Sequence, residues 1–307
     1  MNLIEEKVLQ TIKKYSMINA GDKVLLALSG GYDSTALCLV LNNLVDILKI
    51  KLAVAHLNHS IRGKEADEDE KFVIALANQL NIPVITKKID IPALKAQSKK
   101  FSLEELARTE RYKFLKETAQ KLKVSKIATG HTADDQIENF FLSALSGRGT
   151  TALAGIPPVT QNIIRPLIEC TKDEILQYLK EQGIEARLDS SNLDVKIPRN
   201  WIRHKLIPFI QHNFKPFKTS ILQTINILHC EDLFLEKIVD ALFEDVKYNN
   251  NGIYRVVLPF IMKNLEISVV RRLVKRIFKY FEIKYTFDEI DFLSQRAEEP
   301  VIPPELP

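Results

Sequence analysis

The sequence predicts an α/β protein with a mostly parallel sheet covered by helices on both faces, followed by a smaller, mainly helical domain. Short apolar runs alternate with segments of helical periodicity, and polar clusters follow three of those runs. Beyond about residue 213 the pattern changes to long helical segments. We therefore expect one domain over residues 1–212, a helical domain over 213–297 and a flexible tail over 298–307.

The elements follow in order from composition and spacing. Residues 1–14 mix charged and apolar positions as an amphipathic helix does, and they lack the apolar centre of a signal peptide. Apolar runs predict strands over 23–28, 51–55, 83–89 and 126–129, and helical spacing predicts helices over 33–48, 65–80, 102–123 and 171–183. Ser102 with Glu105, and Thr171 with Glu174, are predicted capping boxes. In the second domain, we expect helices over 221–245 and 265–281 and a strand at 254–258.

Composition argues against several classes of protein. Lys plus Arg exceed Asp plus Glu by only 43 to 39, a formal charge of +4, which is too mild an excess to indicate nucleic-acid binding by itself. Cys38, Cys170 and Cys230 form no Cys-x-x-Cys pair, which argues against a zinc ribbon or an iron–sulfur site, and we expect all three to be buried thiols. No run approaches the ~20 apolar residues that span a bilayer. We expect a cytoplasmic protein with no membrane partner.

A glycine-containing loop follows the first predicted strand. Its residues are Ser29-Gly30-Gly31-Tyr32-Asp33-Ser34, and a helix is predicted directly after it. Such a loop presents backbone N–H groups and the helix dipole to an anion, as phosphate sites do. The Lys of a Walker A loop and the Gly-x-Gly-x-x-Gly of a dinucleotide site are both missing. We interpret the loop as a third class of phosphate site, in which Asp33 holds the accompanying Mg²⁺, with an ordinary tight turn as the alternative.

Two more polar clusters follow predicted strands. His56-Leu57-Asn58-His59 comes after the second strand and Gly130-His131 after the fourth. Parallel strands bring their carboxyl ends to one edge of the sheet, and ligands bind there in this class of fold. We expect His56 and His131 to line a nucleotide site, with a purely structural role as the alternative for each.

The loop resembles the signature of the PP-loop, or N-type, ATP pyrophosphatases, although Tyr32 replaces the small or aliphatic residue more usual there. Further segments make the chain similar to the tRNA(Ile)-lysidine synthetases, over about residues 20–210. These segments are His56-Leu57-Asn58-His59 with Arg62, Ser102-Leu103-Glu104-Glu105 with Arg108, Arg111 and Tyr112, the run from Gly130 to Glu138, and Ile197-Pro198-Arg199-Asn200 with Arg203-His204.

The resemblance implies a reaction. Such enzymes attach free L-lysine to C2 of the wobble cytidine of a tRNA(Ile) with a CAU anticodon, through an adenylated base, and release AMP and pyrophosphate. The modified tRNA reads AUA instead of AUG. ATP and Mg²⁺ are the implied cofactors, tRNA and lysine the implied partners, and the oligomeric state is left open, with a homo-oligomer allowed.

The resemblance also assigns roles outside the loop. Arg111 and Arg203 are expected to neutralise charge that builds on the phosphates, because guanidinium groups stay charged and fork onto oxygens. A solvated helix face is the alternative for Arg111 and its neighbour Arg108, and a salt-bridged helix surface is the alternative for Arg203. Asp135 and Glu138 are expected to bind the ammonium groups of lysine, with stabilisation of a helix N-terminus as the alternative.

A basic run surrounds the single tryptophan. Arg199, Trp201, Arg203 and Lys205 are expected to contact tRNA by phosphate contacts and base stacking, with a core position as the alternative for Trp201. Basic residues of the second domain are expected to brace the tRNA stem. They include Arg271, Arg272 and Arg276.

Three other functions stay open. A tRNA-thiolating enzyme of the same superfamily would adenylate a base in the same way, but those that resemble 2-thiocytidine synthetases carry paired cysteines. A non-catalytic, nucleotide-dependent RNA-binding protein would release no pyrophosphate, and a small-molecule synthetase would need no RNA. The chain is also short beside synthetases that carry a further tRNA-binding domain, so a compact form and a shortened one are both compatible with it.

Overall fold

The first part of the chain is built on one parallel sheet. The strands that the structure describes are β1 (Lys23–Ala27), β2 (Lys51–Asn58), β3 (Val84–Lys88), β4 (Lys126–Ala128), β5 (Val159–Thr160) and β6 (Ile163–Ile164). Their order is β3-β2-β1-β4-β6-β5, and each neighbouring pair is parallel except β6 with β5. This computed structural model confirms the predicted fold class.

The structure describes residues 1–97, 101–184, 195–250, 253–256 and 265–295. The predicted flexible tail over 298–307 lies outside these ranges. So does the end of the predicted strand at 254–258.

Helices pack on both faces of the sheet. They are α1 (Leu3–Lys14), α2 (Tyr32–Asn43), α3 (Val45–Leu48), α4 (Lys64–Gln79), α5 (Ile91–Gln97), α6 (Leu103–Leu122), α7 (Ala133–Leu145), α8 (Thr150–Leu153), α9 (Lys172–Glu181), α10 (Pro198–Trp201), a π-helical segment (Ile202–Leu206) and α11 (Ile207–Asn213). Successive side chains of a strand point to opposite faces, so Leu26 packs in the core that includes α1, α2 and α9, whereas Leu25 packs with Phe114 and Leu115 of α6. The near-continuous apolar run of β1 follows from this two-sided burial.

The structure differs from the predicted elements in three places. β2 continues to Asn58, so His56 belongs to the strand instead of following it, because residues 54–58 pair in parallel with β3. The predicted helix over 33–48 is split, with α2 ending at Asn43 and α3 beginning at Val45. The hairpin β5–β6 was not predicted, because two-residue strands are too short for a periodic signal.

Capping boxes fix the starts of several helices. The predicted boxes at Ser102 and Thr171 are confirmed, each with the reciprocal hydrogen bonds to and from the glutamate three residues on. Two further boxes begin α1, at Asn2, and α7, at Thr132. In the second of these the partner is Asp135, one of the predicted site residues.

Contacts divide the chain into two compact units, Met1–Ile225 and Asn226–Pro307. The division falls inside α12 (Phe217–Val246), which is followed by β7 (Lys247–Asn250), β8 (Ile253–Val256), α13 (Ile267–Tyr280) and α14 (Phe287–Gln295). The predicted domain limits at 212 and 297 stay predictions. Among the described residues, no helix combines the length and the apolar character that crossing a membrane requires.

Ion pairs inside the second unit occupy the arginines that were expected to brace tRNA. Arg272 pairs with Asp232 and Glu236 at 2.7 and 2.8 Å, and Arg276 pairs with Glu236 at 2.6 Å. Arg271 pairs with Asp291. These pairs link α12, α13 and α14 around a small apolar core, which includes Val239, Phe243, Val270, Leu273, Val274 and Ile290.

The cysteines depart from expectation at one position. Cys38 and Cys170 are buried, and burial raises the pKa of each thiol to about 12. Cys230 is exposed, so the prediction of a buried thiol was wrong there. The helical spacing around Cys230 in α12 does not distinguish an inner from an outer face of a helix that is apolar on more than one side.

Candidate active site

The glycine loop joins β1 to α2 and is fixed by its own serines. The Ser34 hydroxyl accepts a hydrogen bond from Ser29 N at 3.1 Å and donates one to Gly31 O at 3.0 Å. Gly31 is the N-cap of α2 and makes no side-chain bond to the first N–H groups of that helix. Gly30 has a φ of +93°, in the left-handed region that favours glycine. The first N–H groups of α2 therefore stay available to an anion, as the phosphate-site interpretation requires.

Gly130, at the end of β4, packs directly against this loop. A Cβ added to Gly130 would lie 3.0 Å from the carbonyl carbon of Asp33 and 3.0 Å from the amide nitrogen of Ser34. Real Cβ atoms rarely come so close to backbone. The ends of β1 and β4 are thus packed together without room for a side chain.

We predict that Gly130→Ala lowers the affinity for Mg²⁺-ATP about tenfold, which corresponds to about 1.4 kcal/mol of binding free energy, because the added methyl displaces the backbone of Asp33 and Ser34. Isothermal titration calorimetry measures this change. Gly149→Ala is the matched control, since a Cβ there meets nothing within 4 Å and the φ of Gly149 is −70°. Equal affinities in the two variants would contradict the close packing of Gly130.

Asp33 is a largely buried carboxyl group without a cation partner for one of its oxygens. Its Oδ1 atom is buried and has no hydrogen-bond partner. Burial raises the pKa of Asp33 to about 6, and the nearby charge of Asp135 adds to this, while Lys172 and Arg203 act in the opposite direction. An unpartnered carboxylate beside a phosphate-type loop fits the needs of Mg²⁺, which takes one or two carboxylates together with phosphate oxygens.

Three histidines near the strand ends are held in their neutral form. Burial and neighbouring arginines, Arg165 first among them, lower the pKa of His131 to about 3. Burial and the charge of Arg111 lower the pKa of His59 to about 4. Burial also lowers the pKa of His56, whose Nδ1 donates to Leu28 O at 2.8 Å and leaves a buried Nε2 without a partner. A neutral ring with a free Nε2 can accept a hydrogen bond from a nucleoside.

Arg108 and Arg111 lie near each other on α6, and the charges of both reach His131. Arg111 is exposed to solvent, and partial desolvation lowers the pKa of Arg111. The guanidinium of Arg108 stacks on the ring of Tyr112 at 5.3 Å. Neither arginine has a carboxylate within ion-pair distance among the described residues. Both side chains are exposed, so the solvated-face alternative stays open for Arg108 and Arg111.

Asp135 and Glu138 are already paired with arginines. Arg199 donates to Asp135 at 2.7 Å and to Glu138 at 2.8 Å, and Arg203 donates to Glu138 at 2.5 Å. Glu138 is only 3% exposed. The carboxylates raise the pKa of Arg199 and of Arg203 above its usual range, although burial opposes this. Asp135 also belongs to the Thr132 capping box. The structure therefore contains the helix-capping and salt-bridge contacts that were the alternatives for these residues. Their functional roles stay predictions.

The basic run lies on a helix that is irregular at its centre. Arg203 and Lys205 fall in the π-helical segment, a form that is rare and frequent at functional sites. Trp201 is 45% exposed, so the alternative of a core tryptophan was wrong. Lys205 and Phe209 are also exposed. These side chains recur at steps of four, which gives the helix an outward row of aromatic and basic groups.

The structure brings most of the predicted residues to one edge of the sheet. Charges of Asp135 and Arg203 reach Asp33, and charges of Arg111 and Arg199 reach His131. Tyr32 is half-buried at the start of α2.

Sequence reasoning missed Arg165 and Lys172. Arg165 directly follows β6, at the same edge of the sheet. A strand of two residues is too short to be predicted from periodicity, so Arg165 was not recognised as a residue at a strand end. Lys172 opens α9, and its N–H donates to Asp134 at 2.7 Å. The capping box at Thr171 was visible, and it placed the next residue at a helix start near the site.

Comparison with known proteins points to one family. A family model described as PP-loop domain matches residues 2–210. The chain is 38% identical over 288 residues to a tRNA(Ile)-lysidine synthase of Caldanaerobacter subterraneus subsp. tengcongensis, covering 94% of this chain and 61% of that protein. It is 36% identical over 275 residues to the tRNA(Ile)-lysidine synthase of Clostridium perfringens (strain 13 / Type A), covering 89% and 58%. The chain therefore spans about three fifths of the length of these relatives.

A solved structure shares the fold. The U34-tRNA thiolase NcsA from Methanococcus maripaludis, solved with its [4Fe-4S] cluster, superposes with a TM-score of 0.58 at 19% sequence identity. The superposition covers 74% of this chain and 78% of the thiolase. At this identity the likeness concerns the fold alone.

Proposed function

Because the chain belongs to the PP-loop domain family, we propose that it uses ATP to join lysine to C2 of the wobble cytidine in a tRNA(Ile) with a CAU anticodon, which changes codon reading from AUG to AUA. The observation that carries this proposal is the glycine loop that aims the start of α2 at an anion beside the unpartnered Asp33 carboxyl. Relatives named tRNA(Ile)-lysidine synthase support the choice of substrates.

The loop binds the leaving end of ATP. N–H groups at the start of α2, with the hydroxyls of Ser29 and Ser34, hold the β- and γ-phosphates, and the free Nε2 of His56 accepts from the nucleoside. His131 stays neutral beside them and can donate or accept without adding charge. Asp33 would hold Mg²⁺, which supplies positive charge against the phosphate oxygens.

Two displacements account for the products. In the first, O2 of the cytidine forms a bond to the α-phosphorus, the bond from that phosphorus to the bridging oxygen breaks, and pyrophosphate leaves. In the second, the ε-amine of lysine forms a bond to C2, the C2–O2 bond breaks, AMP leaves and the amine loses a proton. Arg111 and Arg203 stabilise negative charge that grows on the phosphates in the first step.

The lysine site requires a change in the acidic cluster. Asp135 and Glu138 now pair with Arg199 and Arg203, so an ammonium group of lysine must share or replace these guanidinium groups. Replacement would conserve charge balance at the two carboxylates. It would also free the Arg203 guanidinium to move toward the phosphates. Arg203 is already near enough to Asp33 for its charge to lower the pKa of that carboxyl group.

Contacts to tRNA are assigned to the outward row on the irregular helix. Trp201 offers an exposed ring for stacking and Lys205 an exposed ammonium for phosphate. Arg199 and Arg203 stand on the same helix, facing the carboxylates. One helix would thus carry both the side chains that contact tRNA and the side chains that face the carboxylates of the active site.

Thiolation is the second candidate, and the positions of the cysteines argue against it. Cys38 and Cys170 are buried, and burial raises the pKa of each, which opposes formation of a reactive thiolate. Cys230 lies in the other compact unit. No observation on the described residues favours transfer of sulfur.

Release of pyrophosphate tests the proposal. The protein is mixed with Mg²⁺-ATP and an unmodified CAU-anticodon tRNA(Ile), with and without lysine. The amounts of pyrophosphate and AMP that are released are then measured. We expect pyrophosphate to require the tRNA, and release of AMP to require lysine as well. Pyrophosphate that appears without RNA would favour a small-molecule synthetase, and none under any condition would favour a non-catalytic RNA-binding protein.

A further inference from the structure

Arg165 is a buried cation that has no anionic partner among the described residues. It follows β6 and is 6% exposed. One guanidinium nitrogen donates to Pro157 O at 2.6 Å and to Thr160 Oγ1 at 3.1 Å, both neutral acceptors. Its Nε is buried and has no partner at all. A buried guanidinium normally pairs with a carboxylate, so an unpaired one indicates a missing ligand.

Arg108, an exposed arginine of α6, lies near Arg165, and Arg111, which is also exposed, follows one turn further along the same helix. Tyr112 joins them, because its phenol is in hydrogen-bonding contact with Arg165 and its ring stacks on Arg108. Arg111 neighbours both Arg108 and Tyr112 on α6. Among the residues that the structure describes, none of the three arginines has a carboxylate within ion-pair distance.

This cluster differs from the neighbouring arginines in having no carboxylate partner among the described residues. Arg199 and Arg203 are neutralised by Asp135 and Glu138. Around Arg108, Arg111 and Arg165 no such carboxylate lies within ion-pair distance among the described residues. Carboxylates thus compensate Arg199 and Arg203, whereas the buried Arg165 and the exposed Arg108 beside it can receive an external anion.

We propose that Arg108 and Arg165, together with Tyr112, form a second anion subsite at the carboxyl ends of β4 and β6, separate from the glycine loop, that takes a phosphate group. This inference rests on the proposed function for the identity of its substrates. The group comes either from the backbone of the RNA or from the nucleotide. The exposure of Arg108 favours the RNA, because the backbone of a macromolecule can reach a side chain on the surface of α6.

Binding without lysine tests the subsite. The probes are a CAU anticodon stem-loop RNA, measured by fluorescence anisotropy over a series of salt concentrations, and Mg²⁺-ATP, measured by calorimetry. We expect Arg165→Gln to weaken RNA binding about tenfold and to reduce the slope of log affinity against log salt by about 1, with ATP affinity unchanged. A residue that only supports the fold would leave that slope unaltered.

Control variants keep the result interpretable. Lys121→Gln removes one exposed positive charge from the last turn of α6, the helix that carries Arg108. This variant should change neither the RNA affinity nor the salt slope. If Arg165→Gln fails to fold, Arg108→Gln carries the test, since that side chain is exposed. A loss confined to ATP affinity supports the subsite with the nucleotide as its source. Unchanged binding of both probes would overturn it, and because lysine is absent, failure of lysine transfer would not produce that outcome.

Discussion

Asp33→Asn is expected to lower ATP-dependent pyrophosphate release by about 10²–10³-fold, the usual loss when one preorganised charge is removed from an active site. The asparagine keeps the shape of the side chain but cannot hold Mg²⁺ as a carboxylate does. ATP should still bind, because the N–H groups at the start of α2 and the serine bonds of the loop stay in place. A steady-state assay with saturating ATP measures the loss.

The same substitution should stabilise the protein without ligands. The folded pKa of Asp33 is about 6, above its ordinary value of 3.8. The fold therefore holds the proton more tightly than the unfolded chain does, and this contribution is present below pH 4 and lost as the pH rises through 6. At pH 8 the asparagine removes the penalty, which we expect to be about 1–3 kcal/mol of unfolding free energy.

Urea unfolding at pH 4 and pH 8 measures this effect, and the gain should be larger at pH 8. Asp46→Asn is the control, since Asp46 is an exposed carboxylate on α3, and a change within about 0.5 kcal/mol is expected there. Full turnover in Asp33→Asn would contradict a catalytic role for the carboxyl group. A stability gain that does not depend on pH would contradict the assigned titration.

Glu138→Gln should have the largest effect on stability. Glu138 is 3% exposed and accepts hydrogen bonds from both Arg199 and Arg203, so its loss removes a carboxylate partner from two guanidinium groups at once. Breaking a buried ion pair costs about 3–5 kcal/mol. The two arginines keep partial solvent contact, at 31% and 22%, so we expect about 3 kcal/mol.

Urea unfolding of Glu138→Gln gives the free energy directly. Glu117→Gln is the matched control, because Glu117 pairs with Lys87 at 3.6 Å on the surface, with both side chains about half exposed, and such pairs contribute about 0–1 kcal/mol. If both variants lost the same small amount, the arginine network would not be a stabilising feature. If Glu138→Gln folds and still transfers lysine at the normal rate, its proposed role in lysine binding is wrong.

The parallel sheet and the phosphate loop could be predicted from the sequence because their signals are local. The apolar run of β1 and the glycines after it specify a buried strand and a turn into a helix within about a dozen residues. The capping boxes at Ser102 and Thr171 were equally readable, since each is set by two residues three positions apart.

Pairings over long distances in sequence could not be predicted. Arg199 and Arg203 meet Glu138 across more than 60 residues, and no local pattern indicates which carboxylate an arginine will find. The same limit applies to Arg165, whose proposed role rests on its having no carboxylate within ion-pair distance in the part of the chain that the structure describes. The exposure of Trp201 was also undetermined, because one aromatic residue in a basic helix has no periodicity that fixes its direction.

Incorporation of labelled lysine tests the central proposal most directly. Full-length protein, Mg²⁺-ATP and radiolabelled lysine are incubated with the CAU-anticodon tRNA(Ile) and with a second tRNA whose wobble cytidine is replaced by uridine, beside the Asp33→Asn variant. We predict label in the first RNA only, dependent on ATP and on Asp33. Label that persists in the uridine-containing tRNA, or no label while pyrophosphate is still released, would contradict the transfer of lysine to the wobble cytidine.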